Sequence, residues 1–276
     1  MPVDDSRSAS HLTATLRRIT TFPVKSLDAQ TVESVELVAN GGLAGDREFA
    51  LFDTDGEYVN GKRTRQIHRL RSTVDRETGT ITLRTPEHDA VTTALDADDE
   101  TLTDWLSAFF GEPVALRRNS AGGFPDDTTA SGPTLVSTAT IRELASWYDG
   151  IDEDGMRRRL RANLEVDGVP AFWEDHLFAD RDSRVAFTVG DVGFEGVNPC
   201  QRCVVPSRDP DTGEEHPNFR ETLVEKRRET MPAWSGGDWF DHHFRVMVNT
   251  VVPDSEWGKT LTVGDEVRVG ETVRDD

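Results

Sequence analysis

The chain has 276 residues, 36% hydrophobic and 8% aromatic, long enough to bury a core and too apolar for a disordered chain. Its 51 Asp and Glu outnumber 31 Lys and Arg, a net charge of −20 at pH 7, so repulsion excludes nucleic-acid phosphates and anionic lipid surfaces as partners. No apolar run approaches the roughly 20 residues of a membrane span.

The rest of the composition points to a compartment. The opening stretch MPVDDSRSASHLTATLRR lacks the apolar segment of a secretory signal. Two cysteines cannot staple a disulfide scaffold. A reducing cytoplasm is expected. Lysine occurs only at Lys25, Lys62, Lys226 and Lys259, with arginine supplying the other cations. Excess carboxylate with scarce lysine is the pattern of adaptation to a very salty cytoplasm, where ions screen self-repulsion.

Residues 1–12 read as a flexible tail. From Leu16 on, short apolar alternations between Gly and Asp turns read as strands: ITTFPVKSL, TVESVELV, REFALFDTDGEYV and TGTITLRT. The Asp55-Gly56 step between two apolar runs predicts a hairpin. Over 99–110, Leu102, Trp105, Leu106 and Phe109 recur at helical spacing and Gly111 is the stop. The polar, Gly-rich connector at 119–132 marks a boundary, dividing the chain into domains over 13–125 and 126–276. TIRELASWYDG predicts a second helix, with Thr140 and Glu143 as a capping box and Ile141, Leu144 and Tyr148 on its apolar face. RRRLRANLEV reads as the approach to a strand, its arginines balancing nearby acids, and NFRETLVEKRRE as a weakly amphipathic helix. RVAFTVGDVGFEG, RVMVNTVV and KTLTVGDEVRVG are closing strands. The expected fold class is mainly β with α (α+β): β-barrels decorated with peripheral helices, not a doubly wound sheet. Neither a dinucleotide fingerprint nor a Walker motif is present.

Both cysteines fall in GVNPCQRCVVPSRDPDTGE. Zinc needs four ligands, usually as two pairs; Cys200 and Cys203 are one pair, and His176, His216, His242 or His243 would have to fold onto it. A redox dithiol sits at a helix start, whereas Pro206 follows here. Two small buried hydrophobes are the plain structural reading. A fourth reading is one thiolate on a redox-active metal whose other ligands come from a cofactor. The charged turn Asp209-Pro210-Asp211-Thr212-Gly213 beside the pair favours function, since scaffolded loops carry sites. A cofactor phosphate needs fixed cations. Lys25 with Ser26, Asp46 with Arg47, and Arg161 with Asn163 are the candidates, although each alone reads more readily as a solvated surface group.

Together these pieces resemble the MOSC-domain family, named for the C-terminal domain of molybdenum cofactor sulfurase. FPVKSLDAQTVESVELVANGGLAGDREFALFDTDGEYV is similar to the β-barrel domain that precedes MOSC. PTLVSTATIRELASW, LRANLEV, VGDVGFEGVNPCQRCVVPSRDPDTGE and the closing strands are similar to MOSC itself. The ordered set Pro-Val-Lys-Ser, Gly-Asp-Arg and Arg-Cys…Asp-Pro-Asp-Thr-Gly points within the family to the mitochondrial amidoxime-reducing-component subgroup.

The resemblance implies a molybdenum cofactor, molybdopterin in its mononucleotide form. Cys203 is the implied metal ligand and catalytic residue, with Cys200 the less favoured of the pair. Lys25, Ser26, Arg47, Arg161 and Asn163 are the implied cofactor contacts, although Ala162 departs from the family's Arg-Pro-Asn pattern. Ser137 and Thr138 match the segment that opens a MOSC helix. Arg202 stands beside Cys203, where it would favour the thiolate. The implied activity is reduction of N-oxygenated small molecules, with electrons from a separate ferredoxin- or cytochrome-like protein. The rival is a sulfur or cofactor carrier bearing persulfide on Cys203. Asp209, Asp211 and His216 are the candidates for a general acid, and Trp234, Trp239 and Phe240 for a pocket rim.

Overall fold

A computed structural model describes residues 13–232, 235 and 242–274. The expected tail over 1–12 and the expected rim residues Trp234, Trp239 and Phe240 lie outside the described residues. Eight strands precede the connector: β1 Thr15–Thr21, β2 Gln30–Val32, β3 Ser34–Glu36, β4 Phe49–Phe52, β5 Arg71–Asp75, β6 Thr80–Arg84, β7 Val91–Ala94 and β8 Ala115–Arg118. Seven follow it: β9 Leu135–Ser137, β10 Leu164–Asp167, β11 Ser183–Val189, β12 Val192–Gln201, β13 Arg245–Val251, β14 Thr260–Thr262 and β15 Val267–Arg274. The helices are α1 Glu100–Phe110, α2 Thr138–Ser146, α3 Glu153–Leu160 and α4 Phe219–Thr230. The protein is thus mainly β with peripheral helices, as its turn density predicts.

The largest sheet runs β15-β11-β12-β13-β9-β10-β1-β2. It curls back on itself. Leu16 N–H donates to the Asp265 carbonyl at 2.8 Å, and Val267 N–H to that of Ala14 at 2.8 Å. These bonds join β1 to the start of β15 and consume edge groups that would otherwise face solvent. Along β11 burial alternates strictly, with Val185, Phe187 and Val189 inside. That is the period of two expected of a half-buried strand. Phe187 stacks on Phe194 of the next strand at 5.2 Å between centroids. At Gly196 an added Cβ would lie 1.7 Å from the Leu177 carbonyl oxygen, so only glycine lets that segment pack on β12. A second core, under α1 and the strands from β4 to β8, gathers Val24, Leu51, Leu70, Leu83 and Leu106. A third lies beneath α2, α3 and α4, around Ile141, Met156, Phe219 and Met247.

Because β1 and β2 hydrogen-bond into the sheet built from residues 135–274, the two halves of the chain interleave. No helix among the described residues is long and apolar enough to cross a membrane.

Three local expectations change. The N-cap of α2 is Ser137, whose Oγ accepts from Thr140 N–H at 3.1 Å, so the capping box at Thr140 is set one turn too late. Residues 153–160 form α3, capped by Asp152, where the arginine run read as a strand approach. The repeated arginines hid a helix whose buried positions are Met156, Arg159 and Leu160. At Asp55-Gly56 a narrow turn forms, with one bridge between Phe52 and Tyr58, while β4 makes its ladder with β8.

Candidate functional site

One cavity of about 880 Å³ opens between the two halves. Eleven Lys and Arg side chains line it against five Asp. In a chain of net charge −20, this is a local reversal of sign. Such focusing is how a protein attracts an anion against its own overall field.

Lys25 sits in the turn after β1, its ammonium 5.1 Å from the centre of the Tyr58 ring. The side chain is 7% exposed and its Nζ donates to Asp126 Oδ1 at 2.8 Å and to the Phe124 carbonyl at 2.9 Å. Burial pulls its pKa below the ordinary lysine value, with Asp126 opposing the fall. Ser26 follows in the left-handed region, at φ 71°. Arg47 is also left-handed, at φ 50°, and is paired with Asp46. Asp46 is itself held by the Phe22 N–H at 2.7 Å.

Arg161 ends α3 in the left-handed conformation, φ 57°, which turns its side chain out of the helix direction and onto Phe22. Its guanidinium lies 4.0 Å from the Phe22 centroid, and that of Arg47 lies 4.8 Å from the same ring. Two like charges thus share one aromatic ring. Burial and the Arg47 charge push the Arg161 pKa down to about 10, so it stays cationic at neutral pH. Its donor Nη2 is bonded to the Leu27 carbonyl, and no carboxylate pairs with it among the described residues. Asn163 is buried and fully engaged: Nδ2 donates to the Thr20 carbonyl and to Asp46 Oδ2, and Oδ1 accepts from Thr134. It therefore positions the Asp46–Arg47 pair. Ser26, Arg47, Arg161 and Met247 are four cavity-lining residues with positive φ. Each such conformation costs roughly 1–2 kcal/mol outside glycine, and strain of this kind gathers at functional sites.

Both thiols border the same cavity, each half-buried and free. Cys200 lies inside β12, and Cys203 follows the strand's end. Arg202 Nη1 donates to Cys200 Sγ at 3.0 Å and Nη2 to the Leu160 carbonyl at 2.8 Å. The expected partnership of Arg202 with Cys203 is therefore replaced by one with Cys200. Arg202 and Cys203 both follow the end of β12, and the Arg202 side chain reaches back to the thiol within the strand.

Lys25, Ser26, Arg47, Arg161, Asn163, Arg202 and Cys203 thus converge on one cavity. Ser137 and Thr138 do not. Ser137 is fully buried as the α2 cap, and Thr138 Oγ1 donates to Glu165 at 3.0 Å. The polar residues that face the cavity from this stretch are Ser131 and Thr134, a few positions earlier. The proposed acids also fall away. Asp209 and Asp211 are tied to Arg159 and Arg158, and His216 is bonded to the Asp149 and Pro217 carbonyls. Sequence reasoning did not single out His68, Asp126, Asn198 and Asn249, which line the cavity although Asn198 stands two residues before Cys200 in the same stretch. His68 is held neutral, its pKa lowered to about 4 by burial and by the nearby Arg208, Arg161 and Arg71.

Two interleaved β units enclosing a cation-rich, thiol-bearing cavity define the class of protein. The chain belongs to the MOSC-domain family: residues 134–273 match the MOSC domain, and residues 13–113 match the MOSC N-terminal beta barrel domain. It is 21% identical to human molybdenum cofactor sulfurase over 254 residues, covering 75% of this chain and 28% of that one. It is 24% identical to human mitochondrial amidoxime-reducing component 1 over 237 residues, 72% of this chain and 67% of that one. The chain spans about a third or less of the length of the sulfurases it matches, from 28% of the human protein to 34% of the Drosophila erecta one. The crystal structure of the YUAD protein from Bacillus subtilis superposes with a TM-score of 0.37 and 15% identity, over 93% of this chain and 95% of that one.

Proposed function

We propose that this chain is a molybdenum-cofactor-binding oxidoreductase that reduces N-oxygenated small molecules. The observation that carries this reading is the convergence of Lys25, Arg47, Arg161 and both thiols, far apart in sequence, on one cation-rich cavity. The residues fit a large anionic group with a thiolate ligand. Besides the surplus of cations among the lining residues, the Arg161 guanidinium faces the cavity with no carboxylate partner among the described residues.

When bound, the cofactor would supply the two-electron redox chemistry. Lys25, Arg47 and Arg161 would hold its phosphate by charge-assisted hydrogen bonds, and Cys203 would ligate the metal. Asn163 fixes Asp46, and Asp46 fixes Arg47, so a cofactor phosphate would meet a preset cation. Arg202 donates to Cys200 Sγ at 3.0 Å, a contact that distinguishes the two thiols. Electrons would come from a separate ferredoxin- or cytochrome-like protein. The setting is a salt-adapted cytoplasm, in which stability rises with KCl; a flat or falling curve refutes that part.

Metal analysis of protein made in a cofactor-competent host is the test. Wild type and Cys200→Ala should carry molybdenum near one per chain and reduce a hydroxylamine or amidoxime, and Cys203→Ala should carry none. Absence of molybdenum from the wild type overturns the reading. The match to sulfurases supports a second one, a sulfur carrier. It requires cyanide-releasable sulfur on Cys203 and no tightly held molybdenum.

A further inference from the structure

The connector between the two halves is bonded into the cavity. At Gly123, with φ 68°, an added Cβ would come within 2.5 Å of the Asp46 carbonyl oxygen, so the chain there lies directly on the backbone beside Arg47. Phe124 N–H donates to the Arg47 carbonyl at 2.8 Å, and the Phe124 carbonyl accepts from Lys25 Nζ at 2.9 Å. Two residues on, Asp126 spans two of the proposed phosphate-binding cations. One oxygen lies 2.8 Å from Lys25 Nζ and the other 3.7 Å from Arg47 Nε. The exposures are unequal. The Asp126 side chain is 56% exposed, whereas those of Lys25 and Arg47 are 7% and 11% exposed. The carboxylate is therefore the outer member of the trio, standing between solvent and two buried cations.

We propose that Asp126 is a resident competing anion, and that an incoming phosphate takes over Lys25 and Arg47 by displacing it and freeing residues 124–131. The physical reason is charge balance. Arg47 keeps Asp46 as a counter-ion, but Asp126 is the carboxylate that pairs with buried Lys25 among the described residues, so a carboxylate carried on a loop offsets that buried charge until the ligand arrives. A singly charged carboxylate is outmatched by a phosphate dianion, which brings more charge and more acceptor atoms. The pair therefore selects for dianions over monoanions. The stretch that would move is anchored at its two ends, by Phe124 packed against Phe52 and Tyr58 and by buried Ala130 with Ser131 bonded to the Asn40 carbonyl, and between them run Pro125 and small polar residues.

This rests on the anion-binding reading of the cavity and adds a regulatory step to it. The probe is inorganic phosphate, titrated calorimetrically into the full chain at one fixed KCl concentration. Asp126→Asn keeps the shape and removes the competing charge. It should bind phosphate roughly three- to tenfold more tightly than wild type, the range expected for losing a partly exposed ion pair. Lys25→Ala should bind it more weakly than either. Equal or weaker phosphate binding by Asp126→Asn, with wild type binding normally, overturns the displacement proposal and leaves the anion site standing. No phosphate binding by wild type or by Asp126→Asn removes both. A second measurement needs no variant. Saturating phosphate should speed amide hydrogen exchange over 124–131 in the wild type; unchanged or slower exchange there also overturns the proposal.

Discussion

Two clusters of buried charge in this protein use the same side chains to opposite ends. One is the cavity. The other lies beneath α4, where Arg227 is fully buried and forks onto both oxygens of Asp175 at 2.8 and 2.7 Å. There Arg227 Nε also donates to the Arg245 carbonyl at 2.9 Å, and its guanidinium covers Phe172 at 4.4 Å. Beside them Glu174 accepts from Thr140 Oγ1 at 3.0 Å. That cluster pairs its arginine with a carboxylate and lies away from the cavity wall. The cavity instead has cations in excess of carboxylates and an Arg161 with no counter-ion among the described residues. A buried arginine is therefore not by itself a sign of function. What sets the cavity apart from the strut is Arg161, a guanidinium that no carboxylate pairs with among the described residues.

The sharpest way to break this contrast is to remove one partner from each cluster. Arg227→Ala should destabilise folding by about 3–5 kcal/mol, because it leaves Asp175 buried and unpaired; urea unfolding measures this, and ligand binding by the folded fraction should not change. Glu174 sharpens it through pH. Burial and the adjacent Asp175 raise its pKa from 4.5 to about 7. Its folded pKa lies above the unfolded one, so the wild type loses stability from this group as pH rises from 4.5 through 7. Glu174→Gln should remove that loss, and its stability relative to wild type should be greater at pH 8 than at pH 4.

Arg161→Ala, at the open cluster, should do the reverse of Arg227→Ala. Phosphate affinity should fall about ten- to a hundredfold, the range for a charge-assisted bond. Folding stability should change by only about 1 kcal/mol, the value of its aromatic contact. The smallest effect is expected from Ser137→Ala. Losing an N-cap costs about 1 kcal/mol, visible as a lower midpoint in thermal unfolding. Phosphate affinity should be untouched, because Ser137 belongs to the fold and not to the cavity.

Most strands, α1, α2 and α4 are legible in the sequence because each announces itself locally, whereas the short β5, β7, β8 and β9 carry too few apolar positions or too little punctuation to stand out. Alternating apolar residues write β11, and Asp99 and Gly111 bracket α1, capping it through the Asp99 side chain and a left-handed Gly111. α3 is hidden because three successive arginines obscure its apolar positions, and its buried Arg159 is held by the carbonyls of Pro206 and Arg208. Motif positions lead to Lys25, Arg47, Arg161 and Cys203, and all four border the cavity. Side-chain roles within that cavity are another matter. Asn163 lines the cavity as its motif position implies, and the structure adds that it braces Asp46, 117 residues away. The sequence places Arg202 beside Cys203, and its side chain bonds Cys200.

What the sequence alone determined is the class of fold, the excess of negative charge, the family and the set of residues worth watching. Each of these depends on spacing, composition or short motifs, which neighbours along the chain can specify. Only the tertiary structure decided which cations are already answered, which thiol the neighbouring guanidinium touches, and that the connector's Asp126 covers Lys25 and Arg47. The physical reason is that charge pairing depends on distances through space. In this chain the decisive pairs join residues about a hundred positions apart, as Lys25 and Asp126 do.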